Sequence, residues 1–91
     1  MLTRRPTDTE IEDVINRTIV ELLERAGKPV LVFGGEDDLI STGLSSLDLA
    51  ALVAKLARRW SIDPFLETTA ITEIRTVGDL YNVYQKCLNA R

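Results

Sequence analysis

Residues 41–52 read Ser-Thr-Gly-Leu-Ser-Ser-Leu-Asp-Leu-Ala-Ala-Leu and set two serines side by side where a helix begins. Serine is a preferred N-cap because its hydroxyl accepts a bond from an amide two or three residues further on. Leu49, Leu52, Val53, Leu56 and Trp60 then recur at helical spacing, which predicts a helix opening here with that stripe buried. Ser45 is the natural cap and Ser46 the first helical residue. One serine meets the capping need, so the second is surplus. A surplus hydroxyl beside unpaired amides, at the positive end of a helix dipole, is well placed to carry a phosphate.

Upstream, Thr7-Asp8-Thr9-Glu10 forms a capping box, and Ile11, Val14, Ile15, Thr18, Ile19, Leu22 and Leu23 continue it as an amphipathic helix that Gly27 stops. Residues 28–42 have no clear period. Val30-Leu31-Val32-Phe33 has the composition of a strand but no convincing partner, so the segment reads as a long loop whose apolar residues lie down on the helices. Glu36-Asp37-Asp38 reads as solvated surface. Downstream, Ile62-Asp63-Pro64 breaks the second helix, and a short third helix is expected within residues 65–74. Thr76-Val77-Gly78-Asp79 caps a last helix that turns Val77, Leu80, Val83, Tyr84, Cys87 and Leu88 inward. The fold class expected is all-α: a small antiparallel four-helix bundle with a long loop between helices 1 and 2 and a short third helix.

The 91 residues predict one domain, residues 1–91, and 45% hydrophobic with 27% charged residues is ordinary for a globular chain. No apolar run nears the roughly 20 residues of a membrane span, and the first ten residues lack a signal-peptide core. A single cysteine excludes an internal disulfide and fits a reducing cytoplasm; its place on the last helical stripe makes Cys87 a small buried side chain rather than a reactive thiol. With no histidine, the nucleophile arrangements that need one and the usual zinc sites are absent. Gly34-Gly35 is followed by acids, not by a phosphate-binding lysine, and a net charge of −3 disfavours nucleic acid. No catalytic residue and no metal site is expected.

The ordered set Asp37-Asp38-Leu39-Ile40, Gly43-Leu44-Ser45-Ser46-Leu47-Asp48-Leu49 and Leu52-Val53-Ala54-Lys55-Leu56, with Trp60, Ile62 and Ile74 to Leu80, resembles the acyl carrier protein family. That family shows Gly-x-Asp-Ser-Leu at the head of its second helix, and its serine receives 4′-phosphopantetheine from coenzyme A. The resemblance therefore implies Ser46 as the attachment site. It also implies a protein that is not an enzyme and that holds an acyl or aminoacyl cargo as a thioester on a flexible arm. The partners implied are a phosphopantetheinyl transferase, an acyl- or aminoacyl-loading enzyme, and a synthase or acyltransferase, with Leu47, Ala51, Ala54, Lys55, Arg58 and Arg59 as the partner-binding residues. A start at Met1 and an end at Arg91 without linkers predict a free-standing carrier, and a monomer is expected.

Three departures stand out. Ser45 replaces the family's aspartate, which the transferase reads. Residues 46–60 carry Asp48 against Lys55, Arg58 and Arg59, where the family's helix is acidic. The span from Ile62 to Ile74 is longer than the family's by about a helical turn. These point to a carrier with dedicated partners, and the pathway expected is polyketide or nonribosomal-type secondary metabolism or specialised lipid synthesis. The rival expectation is a small helical interaction module that is never modified.

Overall fold

The first helix, α1 (Asp8–Arg25), begins with the expected reciprocal cap: the Glu10 amide donates to the Thr7 hydroxyl and the Glu10 carboxylate reaches back to the Thr7 amide. In this computed structural model, residues 6–62 and 74–89 are described. Ile11, Ile15, Ile19, Leu22 and Leu23 are buried along one face of α1, while Val14 is half-buried beside them. Burial of such side chains contributes roughly 1.5–3 kcal/mol each before conformational entropy is subtracted, and this term drives the assembly. Gly27, at φ +71°, lies beyond the end of the helix.

Helix α2 (Ser46–Trp60) and helix α3 (Val77–Asn89) both pack on α1. Leu52 and Leu56 are the buried residues of α2, with Leu49, Ala51 and Trp60 partly buried against the same core. Val77, Leu80, Tyr81, Tyr84 and Leu88 are those of α3. The Trp60 and Tyr84 rings meet at 5.6 Å between centroids, joining the C-terminal end of α2 to α3. Of the inward residues expected on α3, Val83 and Cys87 are half-buried, and Tyr81, which was not expected, is buried with its hydroxyl donating to Asn16 on α1.

The all-α class holds among the described residues, with three α-helices, one 3-10 turn (Ile40–Thr42) and no extended strand. The short third helix expected within residues 65–74 falls almost wholly outside the described residues.

The loop between α1 and α2 differs from expectation in one respect. Val30, Leu31 and Val32 border a shallow groove beside Asn16 and Val20 of α1 but are not buried there: Val32 is fully exposed, Leu31 60% and Val30 43%, leaving Phe33 as the member of that run packed against the core. What fastens the loop is hydrogen bonding further along. Asp38 and Thr76 form an isolated antiparallel bridge. Around it the Leu39 amide donates to the Arg75 carbonyl (2.9 Å), the Val77 amide to the Asp37 carbonyl (2.9 Å) and the Gly78 amide to the Gly35 carbonyl (2.7 Å). The first amides of a helix have no partner within it. Here the loop supplies those partners, so the head of α3 and the 35–39 segment satisfy each other. Thr76 and Asp79 complete the cap, each amide donating to the other's side chain.

Candidate functional site

The chain arrives at α2 through a left-handed turn. Gly43, at φ +102°, closes the 3-10 turn, and a side chain at this position would carry the strain of that conformation and also press on Leu23 at 3.3 Å. Leu44 then inserts into the core at 4% exposure, and Ser45 turns the backbone into α2 in an extended conformation. The Asp48 amide donates to the Ser45 hydroxyl (3.2 Å), while the Ser45 amide donates to the Asp48 carboxylate (2.9 Å). The pair is a capping box, so Ser45 is the cap and Ser46 opens the helix. The Ser46 hydroxyl is not part of the cap, and Ser46 is exposed.

A lysine in the loop just beyond the end of α1 braces this cap. Lys28 Nζ donates to the Gly43 carbonyl (2.8 Å) and to the Asp48 carboxylate (2.9 Å). It thereby ties both sides of the turn that presents Ser46. The Ser45 amide, with the Lys28 ammonium added, holds the Asp48 carboxyl down at about 2, below its ordinary 3.8. Neither Lys28 nor the acidic arm of the cap was singled out from the sequence. The Ser-x-x-Asp spacing was a legible signal for the second, whereas the lysine is twenty positions away from its partner.

Beside Ser46 opens a groove of about 590 Å³ lined by Leu39, Ile40, Leu49 and Ile74, with Asp38 and Arg75 also on its wall. The loop clasped to α3 forms one side of it and the first turn of α2 the other. Its wall is mainly aliphatic, and Ser46 lies within its lining.

The residues expected to bind partners divide into two groups. Leu47 is 83% exposed next to Ser46, and with the exposed Ala50, Ala54 and Arg58 it forms an outward ridge along α2, at intervals of three and four residues. Ala51 is half-buried against the core instead. Lys55 turns toward α1, 4.0 Å from the Glu21 carboxylate, and with Arg58 and Arg59 it lines a second groove between the two helices. Among the described residues no group of acids and cysteine could hold a metal ion, and no helix is long and apolar enough to cross a membrane.

No family profile matches the sequence, and no curated protein does at a significant level. Among solved structures, the chain is similar to the solution structure of MacpD, an acyl carrier protein from Pseudomonas fluorescens involved in mupirocin biosynthesis. The two share 35% identity over 85% of this chain and 69% of that one, with a TM-score of 0.76. That likeness indicates a carrier rather than a catalytic enzyme. The chain belongs to the acyl carrier protein family.

Proposed function

We propose that Ser46 bears a 4′-phosphopantetheine arm taken from coenzyme A, and that the protein carries pathway intermediates on it between partner enzymes. The observation that carries this reading is the division of labour between the two serines. Ser45 is consumed by the cap, while the Ser46 hydroxyl is exposed on the first residue of α2. The residues present fit the group: a phosphate on Ser46 would lie at the positive end of the α2 dipole, and the cap engages the amides of Ser45 and Asp48 while leaving that hydroxyl out. When bound, the arm supplies a thiol that holds the cargo as an activated thioester. The chain's own contribution is to present Ser46 on a turn braced by Lys28, and to offer an apolar recess next to it.

The mainly aliphatic wall of that recess favours an acyl over a charged aminoacyl cargo. The partners are a phosphopantetheinyl transferase, an acyl-loading enzyme, and a synthase or acyltransferase. They are met by the outer face of α2, from Leu47 through Ala54 to Lys55, Arg58 and Arg59, with Ala51 supporting that face from the core side. The likeness to a carrier of mupirocin biosynthesis supports a role in secondary metabolism of the polyketide type; the cytoplasm is the compartment that the single cysteine fits.

The test is intact mass after incubation with coenzyme A and a broad-specificity transferase. Wild type and Ser45→Ala should gain one phosphopantetheine unit, and Ser46→Ala none. No gain by the wild type would favour the unmodified interaction module, and gain by Ser46→Ala with loss in Ser45→Ala would move the site to Ser45.

A further inference from the structure

We infer that the groove between α1 and the C-terminal half of α2 extends the partner-binding face of α2 onto α1 and is shaped to take a carboxylate-rich segment of a partner protein. The identity of that partner as an enzyme of the pathway rests on the carrier reading; the groove itself does not. Its volume is about 490 Å³, and it gathers Arg17 from α1 with Lys55, Arg58 and Arg59 from α2. Glu21 is its one carboxylate, 4.0 Å from Lys55. Four cations against one acid is a local reversal in a chain of net charge −3. Such a reversal attracts a complementary acidic surface and turns away basic ones.

Three further features narrow the occupant. The cations come from facing helices, so a ligand that meets all of them must bridge α1 and α2, which suits a chain segment better than a single small ion. Three of the four are arginines, whose planar forks pair with carboxylates in two-point fashion and are over-represented where interfaces concentrate their affinity. Val14 and the methyl of Thr18 add apolar surface, since the Thr18 hydroxyl is already donated to the Val14 carbonyl (2.7 Å). An extended nucleic acid would also seek cations, but it would have to run past Glu10, Asp13 and Glu24 on the same helix. A short acidic segment covers the groove alone. Arg58 lies about 18 Å along the helix axis from Ser46 at 1.5 Å per residue, so a partner anchored here leaves the serine end free to enter its active site.

The experiment uses the full chain labelled with nitrogen-15. It is titrated with a twelve-residue helical peptide of glutamate and leucine, with its lysine counterpart, and with a twelve-nucleotide single-stranded DNA, each at two salt concentrations. The expected result is saturable shifts from the glutamate peptide alone, confined to amides of residues 14–21 and 55–59 and weakened by salt. Arg17→Glu should lower that affinity about tenfold, as should Arg58→Glu, consistent with loss of a close charge pair and gain of repulsion. Arg17→Gln serves as the milder variant if the reversal disturbs folding. Shifts spread over the surface, tighter binding of the DNA, or unchanged affinity in both Arg17 variants would overturn the proposal. Failure here with normal modification of Ser46 leaves the carrier reading standing; binding in the groove without modification at Ser46 does the converse.

Discussion

Replacing Gly78 with alanine perturbs the clasp that forms one wall of the Ser46 recess. The new methyl would lie 2.7 Å from the Gly35 carbonyl oxygen, inside the distance side-chain carbons tolerate, so loop and helix must separate by a few tenths of an ångström. That movement strains the 2.7 Å bond from the Gly78 amide to the same carbonyl. Overpacking costs typically about 1–3 kcal/mol, and a weakened hydrogen bond about 0.5–1.5 kcal/mol. Alanine in a helix returns up to about 1 kcal/mol. The net loss is about 1–3 kcal/mol, and a domain of this size loses about 4–8 °C in Tm per kcal/mol. Thermal unfolding followed by circular dichroism should therefore show Tm falling by roughly 5–20 °C. Gly35→Ala is the control: its methyl meets the Gly78 Cα at 3.5 Å, an ordinary contact, so it should cost far less. Equal Tm values for Gly78→Ala and wild type would refute the close approach.

Acid should dissociate the brace at the site. The folded Asp48 carboxyl, at about 2, lies below its ordinary 3.8, so its contribution to stability is complete above about 3.8 and is lost as pH falls through 2. Carbon-13 titration of the carboxyl should place its midpoint near the lower value in the wild type and higher in Lys28→Met. Tyr81, raised by burial, works in the opposite sense. Its contribution is present below the ordinary tyrosine value of 10.0 and is lost as pH rises through the higher folded value, which ultraviolet titration of the phenol reads. Ser61 ends α2 in the left-handed region at φ +56°, a conformation that costs a residue with a side chain roughly 1–2 kcal/mol. Ser61→Gly should raise stability by about 0.5–1 kcal/mol after the added chain entropy of glycine, measurable by urea unfolding.

The parts of this molecule legible in its sequence are those that neighbours along the chain determine. The Thr7–Glu10 box, the α1 stripe, the Ser45 cap and the Thr76–Asp79 cap each depend on residues three or four apart, and each stands where its spacing places it. What the sequence concealed depends on distant partners. Tyr81 is buried because its hydroxyl has Asn16 to donate to, 65 positions away, and a polar aromatic gives no sign of such a partner. Lys28 reaches Asp48 for the same kind of reason. Hydropathy misled at Val30, Leu31 and Val32, whose apolar character suggested contact with the helices although they are exposed. Capping preference and the family register together selected Ser46 over Ser45, and the capping box that leaves out the Ser46 hydroxyl is consistent with that choice.

Locating the modification on the chain tests the central claim most directly. After incubation with coenzyme A and a transferase, tryptic digestion should release a peptide of residues 26–55, because the bond before Pro29 resists cleavage and Lys55 is the next basic residue. Tandem mass spectrometry of that peptide should assign the phosphopantetheine to Ser46, with fragments that end at Ser45 unmodified. Fragments carrying the group at Ser45, at Ser41 or on any residue other than Ser46 would contradict the account.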